Sequence, residues 1–155
     1  MDDARDHVLG DANATITLVE YGSYACEYCH AAHQVIANLR DRFGDRLRYA
    51  YRHLPLADRE QATHAAVLAE YSWQTTGEFW PVHDALMSRS HRFSNRDLDE
   101  VAARFGLPAH DERDPRITRE ARSRVVENAE SGIHSGARMT PTFFINGRRY
   151  EGVWD

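Results

Sequence analysis

The four residues Cys26-Glu27-Tyr28-Cys29 stand where a strand-like run, Ile16 to Tyr21, gives way to a helical pattern over Ala31 to Phe43. A thiol at a helix N-terminus faces unpaired backbone N–H groups and the positive end of the helix dipole, and both favour thiolate over thiol. The second thiol follows three residues later, almost one helical turn on. Such a pair can attack a disulfide with one sulfur and resolve the mixed disulfide with the other. These are the only two cysteines among 155 residues, so no structural disulfide competes for them. That length, with 42% hydrophobic residues, suffices for one domain with a real core.

Periodicity divides the chain into three blocks. In the first, Ile16, Leu18 and the run to Tyr21 form a buried strand, and Ala32, Val35, Ile36, Leu39 and Phe43 share one helix face that Gly44 ends. Leu47, Tyr49 and Tyr51 then alternate with Arg48, Ala50 and Arg52, a second strand with one drier face. The middle block is helical. Asp58 opens a segment with Ala62, Ala65, Ala66 and Ala69 that Gly77 closes, and Pro81 fits the first turn of a short helix through Met87. Ser94 caps a helix striped by Leu98, Val101, Ala102 and Phe105 with Gly106 after it, and Asp114-Pro115 starts another that Gly132 ends. The last block returns to strand, Thr142 to Ile145 and Arg148 to Glu151, around the hairpin signal Asn146-Gly147. The predicted class is α/β. The order β-α-β, helices, β-β is that of a thioredoxin core, about 12–56 and 137–155, with a helical insertion at about 57–136, all in one domain of 1–155. A final helix covering the sheet is usual in that core but does not follow Arg148 to Glu151 here, so either that helix is missing from this sequence or something else covers that face.

These motifs resemble the DsbA-like branch of the thioredoxin superfamily. The likeness runs from Asp6-His7-Val8-Leu9-Gly10 to Trp154-Asp155 and rests on Ile16 to Tyr21 before the cysteine pair and on Thr140-Pro141-Thr142-Phe143-Phe144-Ile145-Asn146-Gly147-Arg148-Arg149 near the end. It implies an exposed nucleophile at Cys26, a more buried Cys29, and a cis Thr140-Pro141 bond in the loop Met139 to Thr142 facing them. Thr140 would then hold extended substrate through its main chain, as a short strand addition. Glu20, six places before Cys26, matches the family's acidic residue and would relay a proton to and from Cys29. The family's strongest oxidants carry Pro-His between the cysteines. Here Glu27 and Tyr28 stand there, and a carboxylate beside Cys26 disfavours its thiolate, so a potential less oxidising than the roughly −120 mV of DsbA is expected. His30 offers partial compensation from the next turn.

Other readings of the same residues are weaker. Half of a zinc site would need a second CxxC, and Cys26 to His30 also spells the haem-attachment pattern, which the strand-to-helix context opposes. The nine histidines are scattered; His64 and His83 read as surface or satisfied residues and Trp73, Phe79 and Trp80 as insertion core. No metal or organic cofactor is required. A net charge of −5 gives no field for nucleic acid, and no apolar run approaches the roughly 20 residues of a membrane span. Met1 to Asp6 lacks the order of a signal peptide, so a cytoplasmic chain is expected, or a periplasmic, secreted or membrane-tethered one if a leader or fusion partner has been removed. The predicted function is protein thiol-disulfide exchange with protein or peptide partners and a separate recycling partner. A reductase or relay serving one partner protein, or a metal-binding or docking module, are the alternatives.

Overall fold

The computed structural model describes residues 1–56 and 59–154. Along the chain run β1 (His7–Leu9), β2 (Ile16–Gly22), α1 (Glu27–Phe43), a 3₁₀ turn at Gly44–Arg46 and β3 (Leu47–His53). Then come α2 (Glu60–Thr76), α3 (Trp80–Met87), α4 (Asn95–Arg104) and α5 (Pro115–His134), followed by β4 (Thr142–Ile145) and β5 (Arg148–Arg149). Among the described residues the strands make one sheet in the order β1-β3-β2-β4-β5, with β2 and β3 parallel and the other neighbours antiparallel. This is the mixed α/β, thioredoxin-like arrangement, with the helices α2 to α5 entering between β3 and β4.

Alternation along the central strand sorts the core into two sides. Leu18 joins Tyr49 and Tyr51 of β3 in the larger cluster, where Cys29, Ala32 and Ile36 of α1 and Leu68, Phe79 and Val82 of the helical block cover the sheet. Val19 and Tyr21 face the other way with Ala50 and meet Ala129 of α5. Along α1 and β4 a groove of about 340 Å³ remains, lined by Leu18, Leu39, Phe143 and Trp154 among others. The Trp154 ring meets Phe143 edge-on at 5.9 Å.

Local sequence explains most element ends. Gly77 takes a left-handed φ of 75° and its N–H closes on the Trp73 carbonyl at 2.9 Å. Ser94 and Asp97 form a reciprocal capping box on α4, and the Asp114 carboxylate accepts from Arg116 N–H at 2.8 Å. Asn146 and Gly147 have φ of 48° and 79°, as a tight hairpin between β4 and β5 requires. The expected helix start at Asp58 lies outside the described residues.

Three features of the elements depart from the expectations, and Trp73, expected in the core of the insertion, is instead 46% exposed. The short β1, paired to β3 through Val8 and Ala50, was not anticipated, since three residues carry too little pattern. The strand expected over Arg148 to Glu151 is ladder-paired only at Arg148 and Arg149. Gly132 does not end α5, which continues to His134. A Cβ at Gly132 would lie 2.8 Å from Cδ1 of Tyr21, so this glycine marks the close approach of a helix to the sheet rather than a stop.

The core also encloses charge. Oε1 of Glu70 on α2 accepts from His7 Nε2 of β1 at 2.8 Å and from His53 Nε2 of β3 at 2.9 Å. Burial pushes this carboxyl up, but the hydrogen bonds from His53 and His7 outweigh it and hold it below the usual range. The His7 ring stacks on Phe79 with centroids 3.6 Å apart, so the network ties both strands to the helical block.

Gly132 offers a test of the packing. On a solvent-facing helix, Gly→Ala stabilises by about 1 kcal/mol. Against the Tyr21 ring the added methyl must displace an aromatic side chain, and Gly132→Ala is expected to destabilise by about 1–3 kcal/mol instead. Denaturant midpoints at constant m-value read the sign.

Candidate active site

Parallel pairing of β2 with β3 carries the chain through the turn at Ser23 to Ala25 into α1, which begins four residues ahead of its apolar pattern. The cap is Cys26, with extended φ −104° and ψ 119°, so its sulfur sits at the helix N-terminus and Cys29 within the first turn. Cys26 is partly exposed and Cys29 is wholly buried. As a thiol, Cys26 donates to the Thr140 carbonyl at 3.4 Å, while Cys29 Sγ accepts from Ser23 N–H at 3.4 Å. The Thr140-Pro141 peptide bond is cis, and that carbonyl lies across from the sulfur.

The two sulfurs have opposed electrostatics. A hydrogen bond from Cys29 draws the Cys26 thiol down to about 5; burial opposes this, and the Thr140 side chain and the N–H groups of Cys29 and Tyr28 reinforce it. Burial pushes Cys29 strongly upward, as do its bond to Cys26 and the Glu20 charge. One thiol is thus held as thiolate beside another held as thiol.

Glu20 lies on the same face of β2 as Leu18 and is 1% exposed. Burial raises its carboxyl to about 8 against the opposing hydrogen bond from Tyr49 Oη to Oε2 at 2.6 Å, and the Cys26 charge adds to the rise. Oε1 has no partner among the described residues. A Cβ at Gly22 would stand 2.9 Å from that oxygen and 2.6 Å from Cε2 of Tyr51, so glycine keeps the space beside it open. The sequence reading missed Tyr49 as the partner of Glu20, although its place on the drier face of β3, in register with Leu18, points there.

Cys26 opens onto a cleft of about 360 Å³ walled in part by Tyr28, Leu56, Arg59, Met139 and Thr140. Tyr28, Leu56 and Met139 present exposed apolar surface there, and Arg59 Nη1 donates to the Ala25 carbonyl at 2.9 Å. Arg59 carried no sequence signal. The Glu27 carboxylate, expected to oppose the thiolate, is largely solvated and lies 4.0 Å from His91 Nε2. His30 directs Nε2 to the Tyr24 carbonyl at 2.7 Å, which commits that nitrogen to the backbone before the cysteine pair. Cys26, Cys29, Glu20, Thr140 and Pro141 are therefore gathered at one end of the sheet, with Glu27 and Tyr28 on its rim.

Comparison with known proteins agrees with this geometry. A family model described as Thioredoxin matches residues 2–154. The whole chain aligns to 25% of the Na(+)/H(+) antiporter NhaA of Nitrosospira multiformis, with 51% identity over 156 residues. It spans about a quarter of the length of the curated relatives it matches. A thioredoxin-like oxidoreductase from Silicibacter pomeroyi superposes with a TM-score of 0.79 at 24% identity, covering 97% of this chain and 85% of that one. A periplasmic thioredoxin-like protein from Salmonella enterica serovar Typhimurium gives 0.79 at 17% identity over 96% and 82%. The expectation of a cytoplasmic chain is corrected here. It rested on an N-terminus unlike a signal peptide, which carries no weight in a stretch that matches a quarter of a longer protein whose relatives are named as Na(+)/H(+) antiporters. No described helix is long and apolar enough to cross a membrane.

The thiol environment predicts a titration. In the reduced protein, the alkylation rate of Cys26 by iodoacetamide should rise with a midpoint near 5, and Cys29→Ala, which removes the leading donor, should move that midpoint back toward the ordinary 9.0. An unmoved midpoint would assign the effect to the helix N-terminus alone.

Proposed function

The chain belongs to the thioredoxin family, and from that premise we propose that it is a protein thiol-disulfide oxidoreductase working through Cys26 and Cys29. The observation that carries the reading is the pair of opposed sulfur environments, a partly exposed thiolate beside a buried thiol. In the reducing direction the Cys26 thiolate attacks one sulfur of a substrate disulfide, and the other substrate sulfur leaves as thiolate and takes up a proton. Cys29 passes its proton to ionised Glu20 and attacks the Cys26 sulfur. The Cys26–Cys29 disulfide forms and the second substrate thiolate departs. In the oxidising direction every step reverses, and protonated Glu20 supplies the proton that Cys29 needs as it leaves.

A carboxyl near 8 suits both directions, because close to neutral pH each protonation state is populated. The Thr140 carbonyl, already facing the Cys26 sulfur, supports a role for the Thr140-Pro141 loop in aligning an extended substrate segment. Tyr28 and Met139 would contact apolar substrate side chains. The antiporter relatives favour a second reading within the same chemistry, a relay serving one partner at the periplasmic side of a membrane. Turnover of a generic unfolded protein disulfide at rates comparable to the native partner would reject the relay.

Four variants test the roles. Cys26→Ser is expected to abolish exchange, whereas Cys29→Ser should accumulate mixed disulfides with a disulfide peptide, visible by mass spectrometry; equal trapping by both variants would reverse the assignment. Glu20→Gln should leave the first attack nearly unchanged and slow resolution by about a hundredfold in stopped-flow traces. The double change Glu27→Pro with Tyr28→His sets an imidazole beside the thiolate and stabilises the reduced form, so the potential should become more oxidising by about 30 mV for each unit by which the Cys26 pKa falls. A glutathione-buffered titration run with the thiol titration tests that proportion.

A further inference from the structure

A second group of coordinating side chains lies where α1 meets α3, outside the chemistry above. One ring nitrogen each of His33 and His83 and one carboxylate oxygen of Asp84 lie within 4.8 Å of one another. The Nε2 of His33 is 3.6 Å from Asp84 Oδ1, near the roughly 3.3 Å that separates two ligands on a tetrahedral zinc ion. His83 is 1% exposed. Its Nδ1 is engaged with the Tyr24 hydroxyl at 2.9 Å, which leaves Nε2 as the free nitrogen, and Nε2 has no hydrogen-bond partner among the described residues. A buried polar atom without a partner is costly, and one beside a second imidazole and a carboxylate has a ready explanation as a ligand.

We propose that His33, His83 and Asp84 bind a divalent transition-metal ion, Zn²⁺ by the chemistry of the donor set, with the fourth position open to solvent. Two imidazoles with one carboxylate is a donor set typical of zinc sites that keep an open position. The three residues border a cavity of about 160 Å³ that Trp80 and Arg40 also line. His83 is fixed by Tyr24, whereas Asp84 is largely solvated and His33 half-buried, so the two outer ligands have the freedom to close the remaining distance. The Arg40 guanidinium weakens the site without occupying a ligand position. Bound there, the ion would clip α1 to α3 one helical turn beyond Cys29.

The test uses untagged protein with Cys26 and Cys29 oxidised, so that neither thiol can bind metal. Isothermal titration with Zn²⁺ is expected to give one saturable site per chain, and titration with Co²⁺ should give the intense visible absorption of a four-coordinate ion and quench Trp80, whose ring lies 5.2 Å from His83. Zn²⁺ should also raise the thermal midpoint. His33→Gln and Asp84→Asn, which alter no fully buried side chain, should each weaken binding by at least tenfold and lose the metal-dependent rise. Absence of a saturable site, or binding that survives either substitution undiminished, overturns the proposal.

Discussion

With β2 hydrogen-bonded to β3 along one edge and to β4 along the other, the turn that follows it has little freedom in where it delivers Cys26. The parallel partner fixes the depth at which α1 begins, and the antiparallel partner fixes where Thr142 stands and therefore where the Thr140 carbonyl hangs over the helix N-terminus. Sheet geometry thus holds a sulfur and a backbone oxygen from residues 114 positions apart at hydrogen-bond distance. The close packing of Gly132 against Tyr21 braces the same strand from its other side.

Two buried glutamates show how partners, not burial, decide the state of an interior acid. Glu20 and Glu70 are each 1% exposed. Glu70 receives two imidazoles and is held down as carboxylate; Glu20 receives one neutral phenol and stays up near 8. Their contributions to stability therefore run in opposite directions. The depressed Glu70 stabilises the fold above the ordinary carboxyl range and that support is lost as pH falls. The raised Glu20 costs nothing below about 4.5 and progressively more up to about 8, so the fold bears a destabilised acid where the proposed chemistry needs one.

Strands β2, β3 and β4 and the helix ends at Gly77 and Ser94 were legible because alternation, capping and turn chemistry are local, as was the nearness of Cys29 to Cys26. Features built from distant residues were not. His7, His53 and Glu70 meet only after β1, β3 and α2 have packed, and nothing near any one of them announces the others. Gly132 has the look of a helix end because the ring it accommodates is 111 positions away in Tyr21. The downward direction of the Cys26 shift was legible from its place at the helix N-terminus, whereas the weight given to Glu27 came from adjacency in sequence, and its side chain extends toward His91 instead.

The buried second thiol has a consequence for time rather than for affinity. Under the proposed chemistry, a substrate joined to Cys26 in the reducing direction would have a dwell time set by how soon an interior proton moves from Cys29 to Glu20, not by the area of the surface it covers. Such a complex would be short-lived where the carboxyl is ionised and persistent where it is not, so the acidity of the compartment would act as a clock on each reducing encounter.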